Sequence, residues 1–186
     1  MERYESYFRS LLAAIKAINS SLEPATVLGA IVEQAAKAME AKGSTLRLLN
    51  RAGTHLKAGA SHGLSLEYLR KGSVEVAKSG VDRQVLAGEI VALKNVCRDE
   101  RFQYPEAARE EQIMSMLVVP LMVDGKAIGV LRVYAGEERE FTMAEREFLT
   151  GLADVSALAI ENARLHKALQ TDYEMLAAFE QRIFED

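Results

Sequence analysis

Apolar residues in the first stretch of the chain step by four, three, four, three and four: Tyr4, Phe8, Leu11, Ile15, Ile18 and Leu22. That is a heptad seam on one helix, narrower than an ordinary core face. Pro24 suits the first turn of a second helix. Its Val27, Leu28, Ile31, Val32, Ala35, Ala36 and Met39 form one wide apolar face, which predicts core. After Gly43 the period changes. STLRLLN and HLKAGAS alternate in part and are separated by RAGT, which predicts two antiparallel strands and a glycine-containing turn. SLEYLRKG (65–72) and VDRQVLAG (81–88) read as short helices, EIVALKNV as a third strand. Pro105 opens another short helix, with Glu106 favourable in its first turn. MSMLVVPLMV and AIGVLRVYA are the two strongest strands, and the DGK between them is a hairpin signal.

The remainder predicts one long helix. Thr142 as N-cap and Glu145 three residues on form a capping box. From Met143 nearly to the end, such a helix spans on the order of 60 Å, more than a small sheet can cover. Its first half offers Phe148, Leu149, Leu152, Val155, Ala159 and Ile160 for burial. Its second half carries Leu165, Leu169, Leu176, Phe179 and Ile183 at seam spacings, with Asp172 as a polar gap. Antiparallel hairpins with helices at both chain ends imply an α+β fold, with the terminal helices on one face of the sheet and the loops and short helices on the other.

Composition narrows the class. The chain of 186 residues with 49% hydrophobic and 27% charged residues is ordinary for one folded domain. A net charge of −4 leaves no basic footprint for nucleic acid. The longest apolar run, Ile113 to Val123, is too short to cross a bilayer. The acidic, aromatic start lacks the pattern of a signal peptide. With one cysteine and therefore no intrachain disulfide, the expected location is the cytoplasm.

Several stretches resemble the GAF domain family over roughly residues 10 to 170: VEVAKSGVDRQVLAGEIVALKNV, RDERF, SMLVVPLMVDGKAIGVLRVYA and REFTMAEREFLTGLADVSALAIENARL. The last two are the most diagnostic. The resemblance implies a GAF-like, PAS-related antiparallel sheet of about six strands and a small-molecule pocket under the loops between Gly63 and Ile113. It divides the chain into an N-terminal seam helix (1–22), the GAF domain (23–165) and a C-terminal helical extension (166–186). Gly129 is expected where another group approaches the sheet closely.

Candidate chemistry is sparse. Cys97 has Arg98 and Arg101 nearby to lower its pKa, but one thiol cannot complete the disulfide cycle of the sulfoxide-reducing GAF enzymes. Bilin-binding members commonly have histidine after the cysteine; here the neighbour is Arg98. His55, His62 and His166 lack the spacing of a metal or haem site. Cyclic-nucleotide-binding members often carry an Asn-Lys pair, absent here, and a Phe followed after three residues by Asp-Glu. This chain has Phe141 and then Glu145-Arg146, and Thr142 with Glu145 is explained as a cap. The informative outliers are Arg47 and Arg132, each inside an otherwise apolar strand. If both face the pocket they favour an anionic ligand. Otherwise they are exposed or edge arginines whose stems cover apolar surface. Tyr68, Phe102 and Tyr104 belong to segments that roof the pocket, as ligand-stacking groups or as a satellite core. With Arg47, Cys97, Met116 and Arg132 they are the pocket candidates. Phe8, Leu11, Ile15, Ile18, Leu165, Leu169 and Leu176 are the dimer-helix candidates.

The expected function is a non-enzymatic sensory or regulatory domain. It binds a small molecule and passes the signal through the terminal helices of a homodimer. A ligand-free dimerisation module and a methionine-sulfoxide-reductase-like enzyme are the alternatives. No cofactor is assigned. No output segment follows the GAF-like region, so the output is expected from a partner protein or from a larger chain.

Overall fold

The computed structural model describes residues 2–20 and 23–184, with side chains described up to Met175. Two helices, α1 (Glu2–Ser20) and α2 (Pro24–Ala38), precede the hairpin of β1 (Gly43–Leu49) and β2 (His55–His62). Three small elements follow: α3 (Leu66–Arg70), β3 (Val74–Glu75) and α4 (Gly80–Leu86), with a 3₁₀ turn at Val76–Lys78. Then come β4 (Val91–Leu93), α5 (Pro105–Glu110), β5 (Ser115–Val123), β6 (Lys126–Ala135) and α6 (Met143–Phe184). The six strands form one antiparallel sheet in the order β3-β2-β1-β6-β5-β4, the α+β architecture expected.

One expected element is revised and one strand is added. The third predicted strand shrinks to three residues and is fourth in order, because the chain turns after Leu93 and the Asn95 carboxamide accepts the Cys97 N–H at 3.0 Å. The sheet also gains β3, whose two residues pair with His55 and Leu56; two residues are too few to show a period.

Local chemistry explains the joints. Asp124 and Gly125 both take positive φ (48° and 74°), as a tight type I′-like hairpin needs. A Cβ on Gly129 would lie 2.3 Å from the Arg47 carbonyl oxygen, so close strand contact demands glycine there. The capping box forms: the Thr142 N–H donates to Glu145 at 2.8 Å and the Glu145 N–H donates to Thr142 Oγ1 at 3.3 Å.

Alternation on the strands divides two apolar layers. Leu46, Leu117, Val119, Leu121, Leu131 and Val133 face α1, α2 and α6. Met116, Val118, Val130 and Tyr134 face α3, α4, α5 and their loops. On α6 the inward line runs Phe148, Leu149, Leu152, Ala153 and Ala157. Val155, expected in the core, is half-buried because it lies to the side of that line.

The seam residues separate on α1. Leu11 and Ile18 pack against the helix-face core and Ile15 is half-buried, whereas Tyr4 and Phe8 are exposed. The buried line of this helix includes Tyr7, stacked on Phe148 with ring centroids 4.7 Å apart, and Ala14. Leu165 and Leu169 are exposed on the part of α6 beyond the sheet. Leu22 and the side chains of Leu176, Phe179 and Ile183 lie outside the described residues.

Candidate functional site

The alternation that splits the cores also settles where the strand arginines point. Thr45, Arg47 and Leu49 alternate with the inward-facing Leu46 and Leu48 of β1, and Arg132 alternates with Leu131 and Val133 of β6. Both guanidiniums therefore enter the layer under the loops. They sit on adjacent strands, where Arg47 pairs with Val130 and Thr45 with Arg132. Each is 2% exposed. A bulge in the β1–β2 ladder falls between Leu46 and Arg47, a feature that re-aims side chains.

Their partners differ. Arg132 forms an ion pair with Asp82 of α4, which is equally buried. The Ser79 hydroxyl donates to the other carboxylate oxygen at 2.6 Å, and the Asp82 N–H donates to Ser79 Oγ at 3.3 Å. Burial works against the Arg132 charge, but Asp82 outweighs it and the pKa is raised. Among the described residues Arg47 makes one side-chain hydrogen bond, a long one of 3.4 Å from Nη1 to the Leu56 carbonyl. Burial and then the charge of Arg132 lower its pKa, yet a guanidinium stays cationic. Among the described residues neither Nε of Arg47 nor Nε of Arg132 has an acceptor. Arg132 thus has a carboxylate partner, whereas among the described residues Arg47 forms no ion pair.

Phenols and a lysine complete the layer. The Tyr134 hydroxyl bonds Thr45 Oγ1 at 3.1 Å. Its ring meets Tyr68 edge-on at 5.9 Å. Burial raises the Tyr68 pKa, and among the described residues its hydroxyl has no partner at hydrogen-bond geometry. The Lys71 ammonium lies 3.2 Å from the Tyr68 ring centroid and 5.9 Å from that of Tyr104, and donates to the Tyr68 carbonyl at 3.0 Å. Burial, then Arg47 and Arg132, push Lys71 down to about 6. Outside this wall, Ser65, Glu67, Tyr68, Lys71, Ala107, Glu110 and Glu111 line a cleft of ≈ 230 Å³ between α3 and α5. Glu111 clasps the start of α3, accepting from the Ser65 N–H at 3.0 Å and from its hydroxyl.

The structure thus brings together Arg47, Arg132 and Tyr68, with Tyr104 at the edge through Lys71. Tyr104 is half-buried and donates to the Ser73 carbonyl at 2.8 Å. Phe102 and Met116 are buried in the apolar packing of the same layer, and half-buried Cys97 packs against it. Cys97 Sγ lies 3.7 Å from the Pro105 carbonyl oxygen. Among the described residues no group of His, Cys, Asp or Glu comes together as a metal site. No helix among them is long and apolar enough to cross a membrane.

Sequence reasoning missed Asp82, Lys71, Thr45 and Tyr134. Asp82 had a signal, because Ser79 precedes it by three residues at a helix start and its hydroxyl caps the Asp82 N–H. Lys71 had none, since it directly follows a five-residue helix.

The opposite face holds another hollow, of ≈ 330 Å³, between α1, α2 and α6, lined mainly by Ile18, Pro24, Val27, Leu28 and Ile160, with His166 at its edge. Among the described residues that line it there is no buried charge to orient a ligand.

A family model described as GAF domain matches residues 23–160. No curated protein matches the sequence. Among solved structures, the GAF domain from an Acinetobacter phosphoenolpyruvate-protein phosphotransferase is similar at 31% identity, over 85% of this chain and 94% of that one, with a TM-score of 0.73. Residues 122 to 287 of a methyl-accepting chemotaxis protein share 22% identity over 83% of this chain and 99% of that one, with a TM-score of 0.70. The free methionine-R-sulfoxide reductase of Neisseria meningitidis, solved with its substrate, shares 18% identity over 86% of this chain and 91% of that one, with a TM-score of 0.73. The last two show likeness of fold alone. The fold recurs in signalling proteins.

Proposed function

This chain belongs to the GAF domain family, and from that premise we propose that it is a cytoplasmic sensory or regulatory domain that binds a small anion under the loops of its sheet. The observation that carries the proposal is the charge imbalance of the loop layer. Asp82 is the partner of Arg132, and among the described residues Arg47 is left with one long bond to a carbonyl. Buried charges are costly unless paired, so an unpaired cation invites an anion. The ≈ 230 Å³ cleft at Tyr68 and Lys71 lies below the roughly 300–1,000 Å³ common for drug-sized ligands, which points to a small metabolite.

Occupancy would favour one arrangement of α3, α4 and α5 over another, and the terminal helices of a homodimer would carry that bias. Exposed Phe8, Leu165 and Leu169 motivate the dimer. Sedimentation is expected to show a dimer that Leu165→Glu with Leu169→Glu converts to monomer; a wild-type monomer at high concentration removes this part. The reading assigns no catalytic residue, and a free methionine-sulfoxide reductase assay is expected to give no turnover.

The direct test is native mass spectrometry of freshly purified protein, followed by calorimetry with phosphate, sulfate and carboxylates of two to six carbons. At least one anion is expected to bind, and Arg47→Met to weaken it by about tenfold or more, the loss of one charge-assisted bond. Binding of no anion would favour a second reading, a ligand-free dimerisation module. The near-complete burial of both arginines, each 2% exposed, supports that reading.

A further inference from the structure

Lys71 is set apart from the lysines of the surface. Lys37, Lys78 and Lys94 each pair with a glutamate. Half-buried Lys71 lines the cleft between α3 and α5, and among the described residues it forms no ion pair. Its nitrogen is held instead by the Tyr68 carbonyl at 3.0 Å and by the face of the Tyr68 ring, 3.2 Å from the centroid. Glu111, the carboxylate whose charge reaches it, has both oxygens engaged by Ser65.

The groups around this nitrogen come from five segments. Tyr68 belongs to α3, Tyr104 and Glu111 flank α5, and the charges of Arg47 on β1 and Arg132 on β6 act on it. Glu67 and Glu110 line the same cleft. Burial and then the two arginines favour loss of the proton, against Glu111, and hold the amine at about 6. A lysine desolvated beside other cations is an activated nucleophile. A neutral amine keeps two N–H donors, enough for the carbonyl and the ring, and gains a lone pair.

The field also selects the product. An imine formed with a carbonyl compound can protonate to a cation, which the arginines oppose as they oppose the ammonium. A carbamate is an anion, which they favour. Each arginine acts on this site more strongly than Glu111 does.

We propose that Lys71 is a covalent carbon dioxide site, carried as a carbamate in the cleft between α3 and α5. The amine lone pair forms an N–C bond to the carbon of CO₂, one C=O π pair moves onto oxygen, and the nitrogen loses a proton to water. No leaving group, metal or redox partner is required. The adduct replaces an amine by an anion and so ties the charge of this face to the level of dissolved carbon dioxide. It does not depend on the anion reading above.

The test is ¹³C NMR of the full chain in ¹³C-bicarbonate buffer at about pH 7.5, where an ordinary lysine is almost wholly protonated. A carbamate resonance is expected that disappears in Lys71→Arg and persists in Lys78→Arg. Trapping the carbamate with a trialkyloxonium salt, followed by peptide mass spectrometry of the parent chain, should place the adduct at Lys71 over Lys37, Lys78 and Lys94 by about tenfold or more. Unfolding in urea should erase that preference, because it restores solvent around the amine. A resonance that survives Lys71→Arg, an even spread of adduct over the lysines, or no adduct at Lys71 in the folded parent would each overturn the proposal.

Discussion

The two faces of the sheet are built from the same strands, yet they treat charge in opposite ways. Against the helices, the buried charge is Glu145, and it is fully engaged. The Thr142 N–H and hydroxyl donate to it at 2.8 and 3.0 Å, and Arg139 pairs with it at 2.6 Å. Burial raises its pKa, these partners outweigh burial, and the net shift is downward. Under the loops, Arg47 and Arg132 are buried as deeply, and among the described residues only Arg132 has a carboxylate partner. A layer that only stabilises a fold has little reason to hold an uncompensated guanidinium, since an apolar side chain of similar volume does as well or better. The contrast separates the face that holds the protein together from the face that can recognise something.

The strongest way to break that contrast is Asp82→Ala. It strips the carboxylate from Arg132 and is expected to cost about 3–5 kcal/mol in urea unfolding. Adding Arg132→Met should recover most of that loss; a double variant no more stable than the single one would mean that Asp82 acts through its helix cap alone. On the helix face, Leu149→Ala should cost about 2–5 kcal/mol by transfer and cavity terms. It should leave the anion preference intact, and a changed preference would show that the two faces are not separable.

Arg47→Met sharpens the comparison because stability and binding should move apart. Its melting temperature should stay level or rise, since no carboxylate is left unpaired, while anion binding drops. A clear loss of stability would instead make Arg47 a structural residue. Thr142→Ala should be milder, about 1 kcal/mol, because it removes one side of a capping box.

Lys71 yields a pH test whose sign follows from its position. Its pKa falls from 10.5 when unfolded to about 6 when folded. Between those values the unfolded chain holds a proton that the folded chain lacks, so this residue makes stability rise with pH across the window. Urea unfolding from pH 6.5 to 9.5 should show a shallower rise in Lys71→Met than in the parent. An unchanged slope would place the lysine in solvent.

Much of the fold was legible because its signals are local. The Asp124-Gly125 hairpin, the Thr142–Glu145 box and the wide face of α2 each lie within a few residues of one another. The demand for glycine at 129 was legible too, although the atom that enforces it belongs to another strand. What stayed hidden was either too short to show a period, as with β3, or set by packing between distant segments. Asp82 and Arg132 are 50 residues apart, and nothing near either one in sequence announces the other. Cys97, conspicuous as the sole cysteine, packs at the edge of the loop layer.

Periodicity, caps and turn residues by themselves determined the α+β class, the order of its larger elements and the presence of two arginines in apolar strands, because each depends on neighbours in the chain. Only the tertiary structure decided that both arginines enter one layer, that a carboxylate from α4 pairs with Arg132, and that a cleft opens between α3 and α5. Those outcomes depend on strand register and on how the covering helices meet the sheet, where segments far apart in sequence come within a few ångströms of one another.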